Sequence, residues 1–136
     1  MTTLVPKTGN WCIAYRGSHV VPSAGHYNYL GLMNYASSRD IIFGGFGGAS
    51  TTKWLLQVDG ASTATNLSAT DVDTSVHDFA IIGSAGTVNV WLDSTTNINT
   101  LATTVLSADE PMGLFLTNEV LGEMGVDKMI IGYVAR

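Results

Sequence analysis

The feature that most constrains this chain is a succession of short, strand-like runs, each ended by glycine or another turn-forming residue. The runs are rich in valine, isoleucine, threonine, tryptophan and tyrosine, and the chain has 15 glycines among its 136 residues. The runs do not show the 3.6-residue repeat of an amphipathic helix. The pattern predicts about eight to ten strands and no helix of consequence, as expected for a β-sandwich or barrel that forms one domain over residues 1–136.

Alternating apolar residues define the predicted strands. In chain order they are residues 10–16, 27–35, 40–43, 54–60, 76–82, 87–93, 101–106, 112–116 and 128–135. The run 27–35 has a second interpretation, as an aromatic loop that binds a partner. The remaining segments are expected to be a loop at 17–22, a hairpin or bulge at 44–48, a loop with one edge strand at 61–74, and a short turn or a single helical turn at 120–126.

The scarcity of charge limits the classes of partner. Charged residues are 12% of the chain, about half of the usual share, so much of the surface is small, polar or apolar. Such a surface suits a protein that lies against other proteins. The net charge is −5 and the six basic residues are scattered, which disfavours nucleic acid and anionic membranes as partners.

Neither a secretory signal nor a membrane span is expected. The start of the chain, MTTLVPKTGN, lacks a basic stretch followed by an apolar run, and no later apolar stretch has the length needed to cross a bilayer. The lone Cys12 lies in an apolar run and is interpreted as a small buried hydrophobic residue rather than a disulfide partner.

The chain does not carry a pattern typical of an enzyme. Glycoside hydrolysis needs two carboxylates at a fixed separation, and the pairs Asp71/Asp73 and Asp109/Glu110 lie in predicted loops. The histidines lack the spacing of a zinc site: His19 is expected in a loop, and His77 is expected to pack or hydrogen-bond beside a hairpin. We therefore predict a protein that is not an enzyme.

The second half of the chain resembles laminin-G/concanavalin-A-like sandwiches over about residues 40–136. Residues 76–82 and 86–93 resemble the central hairpin of that family, with Val76 in place of a tryptophan and Ser94 in place of a glycine. Residues 112–118 and 126–133 resemble its following strand and its last strand. The resemblance implies an antiparallel two-sheet jelly roll, but that fold serves many functions.

The resemblance also implies calcium as a candidate ligand. Lectin-like members bind calcium through loop oxygens, and calcium prefers six to eight hard oxygen ligands. The strand-end residues that offer such oxygens are Asp59, Asp93, Asn97 and Asn118. Calcium is therefore possible, although no EF-hand-like string is present, and no other cofactor is expected.

Aromatic side chains mark the candidate partner-binding residues. They are His26, Tyr27, Tyr29 and Tyr35 in one segment, and Trp91 on the polar face of a predicted strand. Three interpretations stay open for these aromatics: stacking on a sugar, anchoring a protein interface, in which tyrosine is enriched, or packing in the core.

Two functions follow as hypotheses. Domains of this style occur on tailed-phage particles, so the first hypothesis is a non-enzymatic virion protein, a capsid decoration or a head or tail accessory subunit. It would contact other virion proteins and form homo-oligomers. The alternative is a carbohydrate-binding or adhesion module at a cell surface or outside the cell, with or without calcium.

Overall fold

A computed structural model describes residues 7–20, 27–34, 36–47, 52–60, 62–103, 106, 112–119 and 123–134. These residues form ten strands: β1 (Asn10–Val20), β2 (Tyr27–Asn34), β3 (Arg39–Gly47), β4 (Thr52–Asp59), β5 (Thr63–Asp71), β6 (His77–Ser84), β7 (Thr87–Leu92), β8 (Thr96–Ala102), β9 (Gly113–Glu119) and β10 (Glu123–Val134).

The strands build two five-stranded sheets. The first sheet has the order β10-β1-β6-β7-β8, and the second has the order β5-β4-β3-β2-β9. All the strand pairs are antiparallel. The predicted fold class is confirmed: the chain is an all-β, jelly-roll sandwich of two antiparallel sheets.

Alternation along the central strands fills the core between the sheets. Trp11, Ile13 and Tyr15 of β1 are buried, and the residues between them face outward. Leu30 and Leu32 of β2 are buried in the same way from the second sheet. Three aromatic side chains of the core, Phe43, Trp54 and Phe79, lie with ring centroids 5.1 to 5.6 Å apart, a spacing at which aromatic pairs add to the stability from burial.

Two segments predicted as loops or turns are strands. Residues 17–20 continue β1, because Gly17 pairs with β10 and β6 and the inward alternation runs on to His19. Gly44 and Gly45, predicted in a hairpin or bulge, lie inside β3. A Cβ at Gly44 would lie 1.8 Å from the backbone oxygen of Asn28. The absence of a side chain at this position therefore allows β2 and β3 to approach each other closely.

The hairpin of residues 76–93 is confirmed, with a two-residue turn at Ala85 and Gly86 between β6 and β7. The edge strand expected within 61–74 is also present as β5. The boundaries of other strands differ from the prediction: β8 lies at 96–102 instead of 101–106, β9 ends at Glu119 instead of residue 116, and β10 begins at Glu123 inside the predicted turn. Within the described part of the chain, no helix is long and apolar enough to cross a membrane.

Candidate functional site

The outer face of the first sheet carries a groove of about 410 Å³. Its floor is formed by two alanines, Ala14 of β1 and Ala80 of β6, which are partners in the strand register. Ile130 of β10 is the partner of Ala14 on the other side, and its side chain is 71% exposed. The groove is lined by Ala14, Tyr15, Arg16, Asp78, Phe79, Ala80, Ser94, Lys128 and Ile130.

A charged row crosses one end of the groove. Arg16 is the register partner of Asp78 on one side and of Lys128 on the other. The Nη1 atom of Arg16 donates to both carboxylate oxygens of Asp78, at 3.2 and 3.1 Å. About half of each side chain is exposed, so a ligand in the groove meets a cation and a carboxylate beside an apolar floor.

A second charged cluster lies next to this row. His77 stands between Asp93, whose Oδ2 atom is 2.8 Å from Nδ1, and Asp73, whose Oδ1 atom is 3.0 Å from Nε2. Partial burial would lower the pKa of His77, but the hydrogen bonds to the two carboxylates outweigh it and raise the pKa. The backbone amide of Asp78 donates to Asp93, so a hydrogen bond joins the cluster to a residue that lines the groove.

The prediction that His77 hydrogen-bonds beside the hairpin is therefore confirmed. The side chains of His77 and Asp78 belong to different sites: Asp78 lines the groove, whereas His77 lies in the charged cluster. No group of described His, Cys, Asp or Glu residues is arranged to hold a metal ion.

A buried polar network links the two sheets inside the core. His19 is fully buried; its Nε2 atom is 2.8 Å from the Tyr15 hydroxyl and its Nδ1 atom is 2.5 Å from Oδ1 of Asn28. The amide of Gly45 donates to the same Asn28 oxygen, and Nδ2 of Asn28 donates to Val20. The proton of His19 is therefore on Nδ1, and Nε2 accepts from Tyr15.

Burial lowers the pKa of His19 to about 4 even though the hydrogen bond to Asn28 acts in the opposite direction. The imidazole is neutral, and aromatic rings surround it, with the Trp54 and Phe79 ring centroids at 5.1 and 5.4 Å. No solvent reaches the ring, so this network holds the sheets together and offers no surface to a ligand. The expectation of His19 in a loop was wrong.

The two aromatic candidates whose side chains the structure describes, Tyr29 and Trp91, lie on different sheets. Tyr29 alternates with the core residues Leu30 and Asn28, so it lies on the outer face of the second sheet, and burial raises its pKa to about 12. Trp91 is the register partner of Ala80 and lies on the outer face of the first sheet. The backbone of Tyr27 belongs to β2, whereas His26 and Tyr35 lie outside the described residues.

The outer face of the second sheet also brings two acids together. Asp40 and Asp59 are register partners on β3 and β4. Burial, and then the charge of Asp59, raise the pKa of Asp40 to about 6, against the lowering effect of a hydrogen bond to Gln57. The Oδ1 atom of Asp40 has no hydrogen-bond partner among the described residues.

Three of the four residues considered for calcium accept hydrogen bonds from other groups of the protein. Asp93 accepts from the Asp78 amide, and Asn97 accepts from the amide of Asn99. Asp59 lies on the second sheet, where it accepts from Thr63. The side chain of Asn118 lies outside the described atoms, and Cys12, expected to be buried, is partly exposed.

Several of these site residues were not found from the sequence. The pairing of Arg16 with Asp78 joins residues 62 positions apart, and the acids of the second sheet come from different strands. The burial of His19 had a signal, because the every-second-residue pattern of Trp11, Ile13 and Tyr15 continues to it. The groove had no such signal in the sequence, because its floor consists of two alanines that are far apart in the chain and become neighbours only when β1 pairs with β6.

Two antiparallel five-stranded sheets define this chain as a jelly-roll sandwich protein with a groove on one outer face. The marine PL7 alginate lyase AlyA1 from Zobellia galactanivorans is similar in structure, with a TM-score of 0.64 at 8% sequence identity over 98% of this chain and 65% of the lyase. A structure of botulinum neurotoxin type C, whose cell entry depends on interaction with two ganglioside molecules, has a TM-score of 0.58 at 11% identity.

The alignment with the neurotoxin covers 90% of this chain and 32% of that chain. This chain thus spans less than two thirds of the length of either protein. At these identities the likeness shows the fold alone. No protein-family model matches the chain, and no curated protein matches it.

Proposed function

We propose that the protein is a non-enzymatic carbohydrate-binding module whose ligand lies in the groove on the first sheet. The observation that carries the proposal is the pairing of an apolar floor with the Arg16–Asp78 ion pair at one end of it. A sugar ring has apolar faces formed by C–H groups and a rim of hydroxyls. In the proposed complex, one apolar face of the sugar ring packs on Ala14 and Ala80, and the sugar hydroxyls hydrogen-bond to Arg16 and Asp78.

The charged row suits neighbouring hydroxyls of one sugar. A hydroxyl donates one hydrogen bond and accepts others, a guanidinium only donates, and a carboxylate only accepts. Two adjacent hydroxyls can therefore bind Arg16 and Asp78 at once, and hydrogen bonds to charged groups are the stronger kind. Because the two side chains already hold each other, little conformational freedom is lost on binding.

The two similar structures indicate which ligands to try first. One is an alginate lyase and the other a toxin that interacts with gangliosides. Alginate and gangliosides both contain sugars. The two proteins share only the fold with this chain, so they support the choice of ligand class and not a particular sugar.

The test is a glycan array that includes alginate oligosaccharides and ganglioside headgroups, probed with the purified protein in calcium and in chelator. The groove variants are Arg16→Gln and Asp78→Asn. Each should weaken binding at least about tenfold, because loss of one hydrogen bond to a charged group costs about 1.5–3 kcal/mol. Loss of binding in chelator would show that ligand binding requires calcium.

The matched control is Lys53→Gln, which breaks the partly exposed Lys53–Asp71 ion pair of the second sheet and leaves the groove intact. It should bind like the wild type. An array without specific signal, or binding that Arg16→Gln and Lys53→Gln reduce equally, would exclude the groove as a sugar site.

The second candidate is a structural subunit of a virus particle that binds other virion proteins or further copies of itself. It is favoured by large apolar side chains left exposed to about half or more: Ile130 71%, Val76 54%, Leu116 49% and Leu67 48%. In a chain with 12% charged residues, such side chains suit contacts between subunits.

Sedimentation over a wide range of protein concentration tests this candidate. We expect a concentration-dependent oligomer that Ile130→Thr weakens, with Thr65→Ser, an exposed change on β5, as the control. A protein that stays monomeric at every concentration and does not bind to particles would contradict it.

A further inference from the structure

The ring of His77 is held from both ends. Its Nδ1 atom lies 2.8 Å from Asp93 in the turn after β7, and its Nε2 atom lies 3.0 Å from Asp73 in the loop after β5. We name Asp73, His77 and Asp93 the clamp. Asp73 is itself fixed, because the amide of Ser75 donates to it at 2.7 Å.

The clamp is complete only when His77 carries two protons. An ionised carboxylate only accepts hydrogen bonds, so each ring nitrogen must present a hydrogen to its aspartate. The neutral ring has one N–H and can satisfy one aspartate, while its other nitrogen then faces a carboxylate with its lone pair. The raised pKa of His77 agrees with this geometry.

The clamp is joined to the groove by hydrogen bonds of the backbone. Asp93 accepts from the amide of Asp78 at 3.0 Å, and its own amide donates to the Asp78 carbonyl at 2.7 Å. The next residue, Ser94, lines the groove. Asp93 and Ser94 have positive φ values of 50° and 64°, a backbone conformation that is unfavourable for these residues unless neighbouring contacts hold it.

We infer that His77 is a positioning residue of the groove. With both ring nitrogens protonated, it holds Asp93 and, through Asp93, the groove rim formed by Asp78 and Ser94. Loss of one proton releases an aspartate and loosens the rim. The inference rests on the proposed function, and it makes ligand binding stronger in mildly acidic solution than in alkaline solution.

The other charged groups around His77 set the background for this effect. On its own strand the neighbour is Asp78, which faces Arg16 of β1. The buried His19 of β1 is close enough to interact electrostatically with His77, but its pKa of about 4 keeps it neutral at the pH at which His77 titrates. Lys128 of β10 lies beside Arg16 in the strand register.

A pH titration followed by NMR on the whole chain tests the inference. The signals are the ring nitrogens of His77 and the backbone amides of Asp78 and Ser94. We expect the amide shifts to have the same midpoint as the ring, and to vanish in His77→Gln. Asp73→Asn should lower the midpoint, because one stabilising carboxylate is gone. The control Asp71→Asn, a charge removed from β5, should leave it unchanged.

The second readout is the affinity for alginate oligosaccharides across the same pH range. We expect it to fall about tenfold above the His77 midpoint, which corresponds to one unit of difference in pKa between the bound and free protein. The fall should be absent in His77→Gln. If His77→Gln does not fold, Asp73→Asn provides the test. In that variant the pH midpoint of the change in affinity should shift together with the pH midpoint of the His77 ring signals.

The failures of the two proposals are distinguishable. Amides of Asp78 and Ser94 that do not follow the ring of His77 would overturn the positioning role, whatever the protein binds. An affinity that is equal at all pH values would do the same. A blank glycan array together with amides that follow the ring would overturn the proposed function and leave the clamp in place.

Discussion

At the scale of single residues, the buried polar network around His19 stabilises the core. The neutral ring accepts from Tyr15 of the same strand and donates to Asn28 of the opposite sheet. A buried acceptor or donor without a partner is costly, because water cannot replace the lost bond. Each member of the network therefore stabilises the others.

Tyr15→Phe tests that network. The variant keeps the ring that stacks on Phe79, but it leaves Nε2 of His19 buried without a donor. We expect the free energy of unfolding to fall by about 1–3 kcal/mol in urea titrations. Thr65→Val, which removes an exposed hydroxyl on β5, is the control and should change it by less than about 0.5 kcal/mol. Equal stability of Tyr15→Phe and wild type would contradict this account.

At the scale of elements, the β6–β7 hairpin was predicted from the sequence and is confirmed because its information is local. Alternation along each strand and a glycine between them suffice to specify it. The turn residues Ala85 and Gly86 have φ values of 50° and 78°. Positive φ at both central residues is typical of a type I′ turn, for which asparagine followed by glycine is preferred.

Ala85→Asn should therefore stabilise the hairpin. Alanine pays a steric cost in the left-handed region that asparagine tolerates better, so we expect a gain of about 0.5–1 kcal/mol in the free energy of unfolding. Ala102→Asn places the same residue at an exposed position at the end of β8, where the φ is not positive, and serves as the control. A gain in the control as large as in Ala85→Asn would show that the turn is not the cause.

At the scale of the whole molecule, His19 and Asp40 make stability depend on pH in opposite directions between about pH 4 and about pH 6.5. The pKa of His19 is about 4 in the folded protein and 6.5 in the unfolded chain, so its contribution is lost as pH falls from about 6.5 to about 4. The pKa of Asp40 is about 6 against 3.8, so its contribution is lost as pH rises over nearly the same range. In the wild type the two effects oppose each other.

Asp40→Asn separates the two effects. With Asp40 gone, stability should rise from about pH 4 to about pH 6.5 by an amount on the order of 3 kcal/mol, since one unit of pKa corresponds to 1.36 kcal/mol. Asp73 and Asp93 have pKa values below 3.8 and act below this range. Unfolding in denaturant at several pH values measures the profile. A variant with the same profile as the wild type would contradict the assignment.

The sequence by itself determined the class of fold. Side chains alternate across a strand because of the local backbone geometry, so a run such as Trp11, Ile13 and Tyr15 marks a buried face wherever the strand lies. The resemblance of residues 76–93 to a known hairpin followed from the same local pattern. The loop predicted at residues 17–22 was wrong for the described residues 17–20, because Gly17 is a turn former in isolation but a strand residue where β10 and β6 flank it.

The tertiary structure alone decided the sites. Arg16 meets Asp78, and Asp40 meets Asp59, through pairings between different strands. The order of strands in a sheet depends on the burial achieved by the whole chain, which no single segment contains. For the same reason the aromatic candidates Tyr29 and Trp91 were assigned to opposite faces of the sandwich only by the packed structure, and a groove with a floor of Ala14 and Ala80 had no signal of its own in the sequence.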